Sequence, residues 1–172
     1  MSRCQKTIMT LRNKQKPCLL IDTREKQPWD FEPDDAFESI KHIKLDAGDY
    51  SIEGLEHVLI VERKASVDEL FINFSKEKER INAEFTRLKD HKFKIMIIEA
   101  TYEDVMNPLR YYVNKHHINK QHIKMPVAVV ASGLNNLILE HGVMVLFGGS
   151  RAKVMARGIL LRAYELHNKG LL

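Results

Sequence analysis

Asp49, Glu62 and Lys64 are two acids and an amine whose spacing permits phosphodiester chemistry. If residues 47–70, AGDYSIEGLEHVLIVERKASVDEL, begin as a hairpin centred between Leu55 and Glu56, Asp49 falls directly across from Glu62 and Ile52 across from Leu59. Directly opposed residues have Cβ atoms roughly 4.5–5.5 Å apart on one face of a sheet. Tyr50, Ile52, Leu59 and Val61 then take the other face, which is apolar. Two neighbouring carboxylates repel and are unfavourable without a cation. Hard oxygen donors suit Mg²⁺, which takes octahedral oxygen coordination at about 2.0–2.1 Å and keeps several waters. Lys64, two residues beyond Glu62, shares the acidic face because side chains alternate along a strand. A cation and an ammonium so placed can orient an attacking water, favour its deprotonation and neutralise charge on a pentacovalent phosphate. Residues of these types are common, and a bare acid–acid–lysine pattern also reads as a set of solvated hairpin charges.

The longer string is more specific. GDY followed by VERKASVDEL, with Gly48, Asp49, Glu62, Arg63, Lys64 and Asp68, resembles the signature of the XPF-type structure-specific endonucleases of the PD-(D/E)xK superfamily. An upstream Asp-x-Arg-Glu at the end of the first strand is matched by Asp22, Arg24 and Glu25 in IDTREKQPW. Arg80 in SKEKERINAEF and Glu99 in IIEA match a helix arginine and a strand-ending acid. The resemblance spans residues 18–100 and, more weakly, continues to about His167, where the ending looks like the small bacterial and phage forms.

The resemblance implies a metal-dependent DNA endonuclease that uses Mg²⁺ (or Mn²⁺). It makes Asp49 and Glu62 metal ligands, with the Arg63 carbonyl as a third, and gives Lys64 the positioning of the water. Asp22 would support the metal shell, directly or through water. Arg24, Glu25, Arg63, Asp68 and Arg80 would form the surrounding network. Each has a structural reading beside the functional one. Asp68 in a helix's first turn complements the dipole, Arg80 can be a solvated helix charge, and Arg24 and Glu25 can be an ion pair. Arg24, Arg80, Lys115 and Lys120 are candidate DNA contacts. Branched or partly single-stranded DNA is the expected substrate, in repair, recombination or phage DNA processing. A homodimer through the nuclease domain is compatible with the resemblance. The tandem helix-hairpin-helix domain and helicase motifs of many members are not found. Two other functions stand against this one: a non-catalytic DNA-binding or partner-binding module, and RNA cleavage.

The elements that would position these residues follow from periodicity. Residues 1–17 read as a basic, flexible tail, with Arg3, Lys6, Arg12, Lys14 and Lys16 unaccompanied by acids, and 18–172 as the nuclease domain. Residues 18–21 form a buried strand closed by Asp22, and 40–45 a second. Residues 49–53 and 57–64 form the hairpin. Residues 66–90 read as one long helix with Val67, Leu70, Phe71, Phe74, Ile81, Phe85 and Leu88 on its apolar stripe. Ser66 and Glu69 match a capping box. A strand over 93–98, a helix over 127–141 stopped by Gly142, a strand over 143–147 and a helix capped by Ser150 complete an α/β, restriction-endonuclease-like fold, a mixed central sheet flanked by helices.

The bulk numbers agree with a globular protein: of 172 residues, 44% are hydrophobic and 29% charged, enough for a core. A net charge of +4 is compatible with a polyanionic partner but weak by itself. No apolar run reaches the ~18 residues of a membrane span, and the N-terminus lacks a secretory leader, so the protein is expected to be cytoplasmic. Cys4 and Cys18 are expected to be free thiols. His116, His117 and His122 lie among Lys115, Lys120 and Lys124, which suits a basic patch on phosphates or a solvated face better than a zinc site. Gly148-Gly149-Ser150 lacks a P-loop lysine, so no nucleotide cofactor is expected and an ordinary helix cap is favoured. Trp29 reads as a core or loop anchor ahead of a base-stacking platform.

Overall fold

The computed structural model describes residues 15–34, 36–109, 111 and 126–172. The tail residues Cys4, Arg3, Lys6, Arg12 and Lys14 lie outside that set, as do Lys115, Lys120, Lys124, His116, His117 and His122.

Among the described residues six strands form one mixed sheet: β1 Cys18–Asp22, β2 Ser39–Ile43, β3 Tyr50–Ile52, β4 Leu59–Lys64, β5 Phe93–Ile98 and β6 Met144–Phe147. Their order is β2-β1-β3-β4-β5-β6. β3 runs antiparallel to both β1 and β4, while β1/β2, β4/β5 and β5/β6 are parallel. β5 reads FKIMII and is buried on both faces, as a strand in a covered parallel segment must be. Tyr50 pairs with Val61, the register of the hairpin centred between Leu55 and Glu56.

Helices cover both faces. On one side α1 Val67–Ser75, α2 Lys78–Arg87 and α4 Val127–His141 pack Leu70, Phe74, Ile81, Phe85, Leu134 and Leu137 against Leu20, Ile60, Met96 and Ile98. Each large apolar side chain withdrawn from water there contributes roughly 1.5–3 kcal/mol. The short α3, Tyr102–Met106, follows β5 and starts in a capping box made by Thr101 and Asp104. On the other side α5 Ala152–His167 lays Ala152, Ala156, Leu160 and Ala163 on Leu19, Ile21, Val61, Ile95 and Ile97. Trp29, Phe31 and Phe37 from the β1–β2 connection fill the rest of that layer. Among the described residues no helix is long and apolar enough to cross a membrane.

Three expectations need correction. The single helix over 66–90 is two helices. Ser75 Oγ donates to the Phe71 carbonyl (2.6 Å), and the N–H groups of Lys76 and Glu77 both donate to the Ile72 carbonyl (2.9 and 3.1 Å). A side chain bonded back onto its own helix bends it, and the apolar stripe resumes at Ile81. Ser150 does not cap α5: it lies in a 3₁₀ turn, Gly149–Arg151, and the residue at the N-cap is Arg151, whose side chain makes no capping hydrogen bond among the described residues. The carboxylate face of the hairpin is also packed, because Ile60 belongs to the core beneath α1 and α2.

Candidate active site

β4 sets the site by alternation. Leu59, Val61 and Arg63 point to the α5 face, and Ile60, Glu62 and Lys64 to the α1 face. Asp49 precedes β3, and its backbone is held from both neighbours. Its N–H donates to the Val61 carbonyl (3.0 Å), and its carbonyl accepts from the Asp22 N–H (2.8 Å). Gly48 makes that approach feasible: its φ is +77°, and a Cβ there would run into the Ile60 side chain. The Asp49 carboxylate accepts the Arg63 N–H at 2.7 Å.

Glu62 and Lys64 are 6% and 3% exposed, and Lys64 Nζ donates to Glu62 Oε1 at 2.5 Å. A second carboxylate faces the same ammonium, Glu69 Oε1 at 3.3 Å. Burial alone would depress the Lys64 pKa, but Glu62, Glu69 and Asp49 outweigh it and hold the ammonium above its ordinary value. The acids move the other way. Burial pushes Asp49 well above the usual carboxylate range and the Glu62 charge pushes it further, against the pull of the Arg63 N–H and Lys64. Burial raises Glu62 too, with Lys64 opposing and the charges of Glu84 and Glu69 adding to the rise.

Two acids that resist both being ionised favour a cation, which would relieve the repulsion and the burial cost together. Among the described residues no three His, Cys, Asp or Glu side chains converge as a closed metal cage. Mg²⁺ does not require one, since it is commonly held by one or two carboxylates with waters and substrate phosphates supplying the rest. The donor set of Asp49 and Glu62 therefore fits.

The surrounding residues fall into separate groups. Asp22 is 1% exposed, and its oxygens accept from Arg24 N–H (2.7 Å), Nε (2.8 Å) and Nη2 (2.9 Å) and from the Leu45 N–H (2.7 Å). Burial raises its pKa, and these hydrogen bonds more than reverse that, leaving it below the usual value. Arg24 also reaches the Leu45 carbonyl (2.8 Å), so its partner is Asp22 and not Glu25. On the opposite face Arg63 Nε donates to Glu99 (2.7 Å), its Nη1 donates to the Gln27 carbonyl (2.6 Å) and lies 3.5 Å from Glu25, and its guanidinium sits over the Trp29 ring. Trp29 stacks on Tyr50 and donates its indole N–H to Glu99, as a buried anchor does. Arg80 bonds Glu77 (2.6 Å), the residue just before α2, and Glu84 (3.5 Å) within it. Asp68 lies half-buried in the first turn of α1. Lys115 and Lys120 lie outside the described residues.

The structure thus brings Asp49, Glu62 and Lys64 to one face, places Asp22–Arg24 at the neighbouring strand end, and puts Arg63, Glu25 and Glu99 behind β4. Sequence reasoning missed Glu69 as a Lys64 partner and missed Glu84, whose side chain is only 14% exposed and whose charge is felt at Glu62. The signal for Glu69 was its five-residue separation from Lys64 across a tight strand-to-helix turn. Glu84 was legible only as the fourth residue after Arg80.

No protein-family model and no curated protein matches the chain. Solved structures do. An XPF from Aeropyrum pernix in complex with DNA superposes with a TM-score of 0.58 at 16% identity, covering 87% of this chain and 66% of that one. Another structure of XPF from Aeropyrum pernix gives a TM-score of 0.57 at 16% identity, covering 86% of this chain and 61% of that one. The chain therefore spans less than two thirds of the length of either, and it has the α/β fold of the XPF nuclease, as the sequence motifs implied.

Proposed function

We propose that the protein is a divalent-metal-dependent endonuclease that hydrolyses phosphodiester bonds in DNA, with Asp49 and Glu62 as metal ligands. The observation that carries this reading is the Asp49 carboxylate, half-buried and close enough to feel the charge of the buried Glu62, with Lys64 beside them at the end of the strand where the ERK motif places it. Mg²⁺ or Mn²⁺ bound there would supply charge neutralisation and a nucleophile active at neutral pH. Lys64, kept as an ammonium, is suited to hold the attacking water and meet the charge that builds on the phosphate. The Arg63 N–H fixes one Asp49 oxygen, so the carboxylate is oriented before anything binds. Asp22 and Arg24 support the strand end rather than offering free oxygens, and the Arg63–Glu99–Trp29 group braces β4 from behind. Branched or partly single-stranded DNA, an intracellular role in repair, recombination or phage DNA processing, and a homodimer complete the reading. DNA as the partner is supported by the fold shared with the Aeropyrum XPF that was solved in complex with DNA.

The test is cleavage of end-labelled duplex, single strand, flap, fork and four-way junction, with Mg²⁺, with Mn²⁺ and with EDTA. Cutting is expected with either metal and none with EDTA, fastest on a substrate with a strand discontinuity. Binding without cutting under every condition would replace the enzyme with a DNA-binding module. Cutting of RNA but not DNA would replace the substrate.

A further inference from the structure

Lys64 is buried, and a buried ammonium needs a counter-charge. Glu62 now provides it at 2.5 Å. If Glu62 ligates a cation, as the nuclease reading requires, its charge is shared with that cation, so its hold on Lys64 weakens and Lys64 gains a positive neighbour. Among the described residues the remaining carboxylate that bonds it is Glu69.

Glu69 is built to stay in place. Its N–H donates to Ser66 Oγ (3.1 Å), fixing it in the first turn of α1. Its Oε2 accepts the Ala65 N–H (2.9 Å), which leaves Oε1 aimed at Lys64 Nζ. An ordinary capping box would send this side chain to the Ser66 N–H. Here it reaches one residue further back, which brings it over the end of β4. The turn from β4 into α1 is so short that a single carboxylate both closes the helix start and holds the ammonium.

We infer that Glu69 is the positioning residue for Lys64, taking over the ammonium when Glu62 ligates metal. This role rests on the nuclease reading. Asp68 occupies the position that the sequence motif assigns to an acid, whereas the carboxylate that meets Lys64 belongs to its neighbour.

The experiment uses the full chain and three variants: Glu69→Gln, Lys64→Ala and the double. Gln keeps an oxygen for the Ala65 N–H, so the helix start is retained while the charge is lost. Two readouts are taken with Mg²⁺ as the added metal: the proton–nitrogen correlation of the Lys64 ammonium by NMR, and single-turnover DNA cleavage. In wild type the ammonium signal persists when Mg²⁺ is added, and in Glu69→Gln it is lost to fast exchange. Glu69→Gln cuts roughly 10- to 100-fold more slowly, the loss expected from a misplaced reacting group, at an unchanged Mg²⁺ half-saturation. It causes no further loss in the Lys64→Ala background, because a residue acting through Lys64 has nothing left to act on. A persistent ammonium signal in Glu69→Gln, wild-type cleavage by it, or an equal further loss on top of Lys64→Ala overturns the role alone. A wild type that cuts no substrate overturns the nuclease reading and this role with it.

Discussion

At Lys64 the environment, rather than the residue type, decides the chemistry. A lysine with 3% of its surface exposed would ordinarily shed its proton; the carboxylates of Glu62, Glu69 and Asp49 keep it charged, while desolvation makes Asp49 and Glu62 reluctant to be. Asp22 shows the opposite balance, since four hydrogen bonds from Arg24 and Leu45 hold its carboxyl below the usual range. A carboxylate with a depressed native pKa gives the unfolded chain the greater proton uptake, so its contribution is full above the ordinary carboxylate pKa and fades as pH falls through the native value. Asp22→Asn is therefore expected to cost about 1–3 kcal/mol at pH 7, the size of a few buried hydrogen bonds to a charged group. That gap should close as the buffer is taken below about pH 4. Urea melts of both proteins across that range check it, and a gap that stays constant with pH would remove the charge from the explanation.

At the scale of elements, the turn before β3 carries the most weight. Gly48 has φ +77° and abuts Ile60, whereas Gly54 has φ +84° with open space around it. Gly48→Ala should lose about 2–5 kcal/mol by adding a steric clash to left-handed strain, and Gly54→Ala about 1–2 kcal/mol from strain alone. Only the first should also displace Asp49 and impair metal binding, so thermal melts beside a Mg²⁺ titration separate the two. This region was legible in the sequence because alternation over 49–53 and 57–64 admits one register with a sealed apolar face. β5 was legible for a similar reason, as an unbroken apolar run, and the helix over 127–141 because proline and glycine mark its ends. The break at 75–77 was not, because Ser75 and Lys76 are tolerated inside helices and the stripe continues on both sides. Nor were the destinations of long polar side chains. Arg24 choosing Asp22, Arg63 choosing Glu99, and Glu69 bypassing Ser66 for Ala65 depend on where neighbouring elements place their ends.

For the whole molecule, the sheet divides two cores, and the hairpin that carries the site is clamped between them. Tyr50 and Val61 are locked under α5, and Ile60 under α1 and α2. Such a frame holds β4 by packing on both of its faces. The fold is shared with the Aeropyrum XPF structures at 16% identity, where the fold outlasts most side chains. The central claim, that Asp49, Glu62 and Lys64 hydrolyse DNA, is tested most directly by single-turnover cleavage of the best substrate with wild type, Glu62→Gln and Lys64→Ala at matched, saturating protein. The account predicts at least a 100-fold loss in both variants, on the order of removing one charge-stabilising group from an active site, with DNA binding kept in each and Mg²⁺ affinity lost only in Glu62→Gln. Cleavage at the wild-type rate in either variant would contradict it.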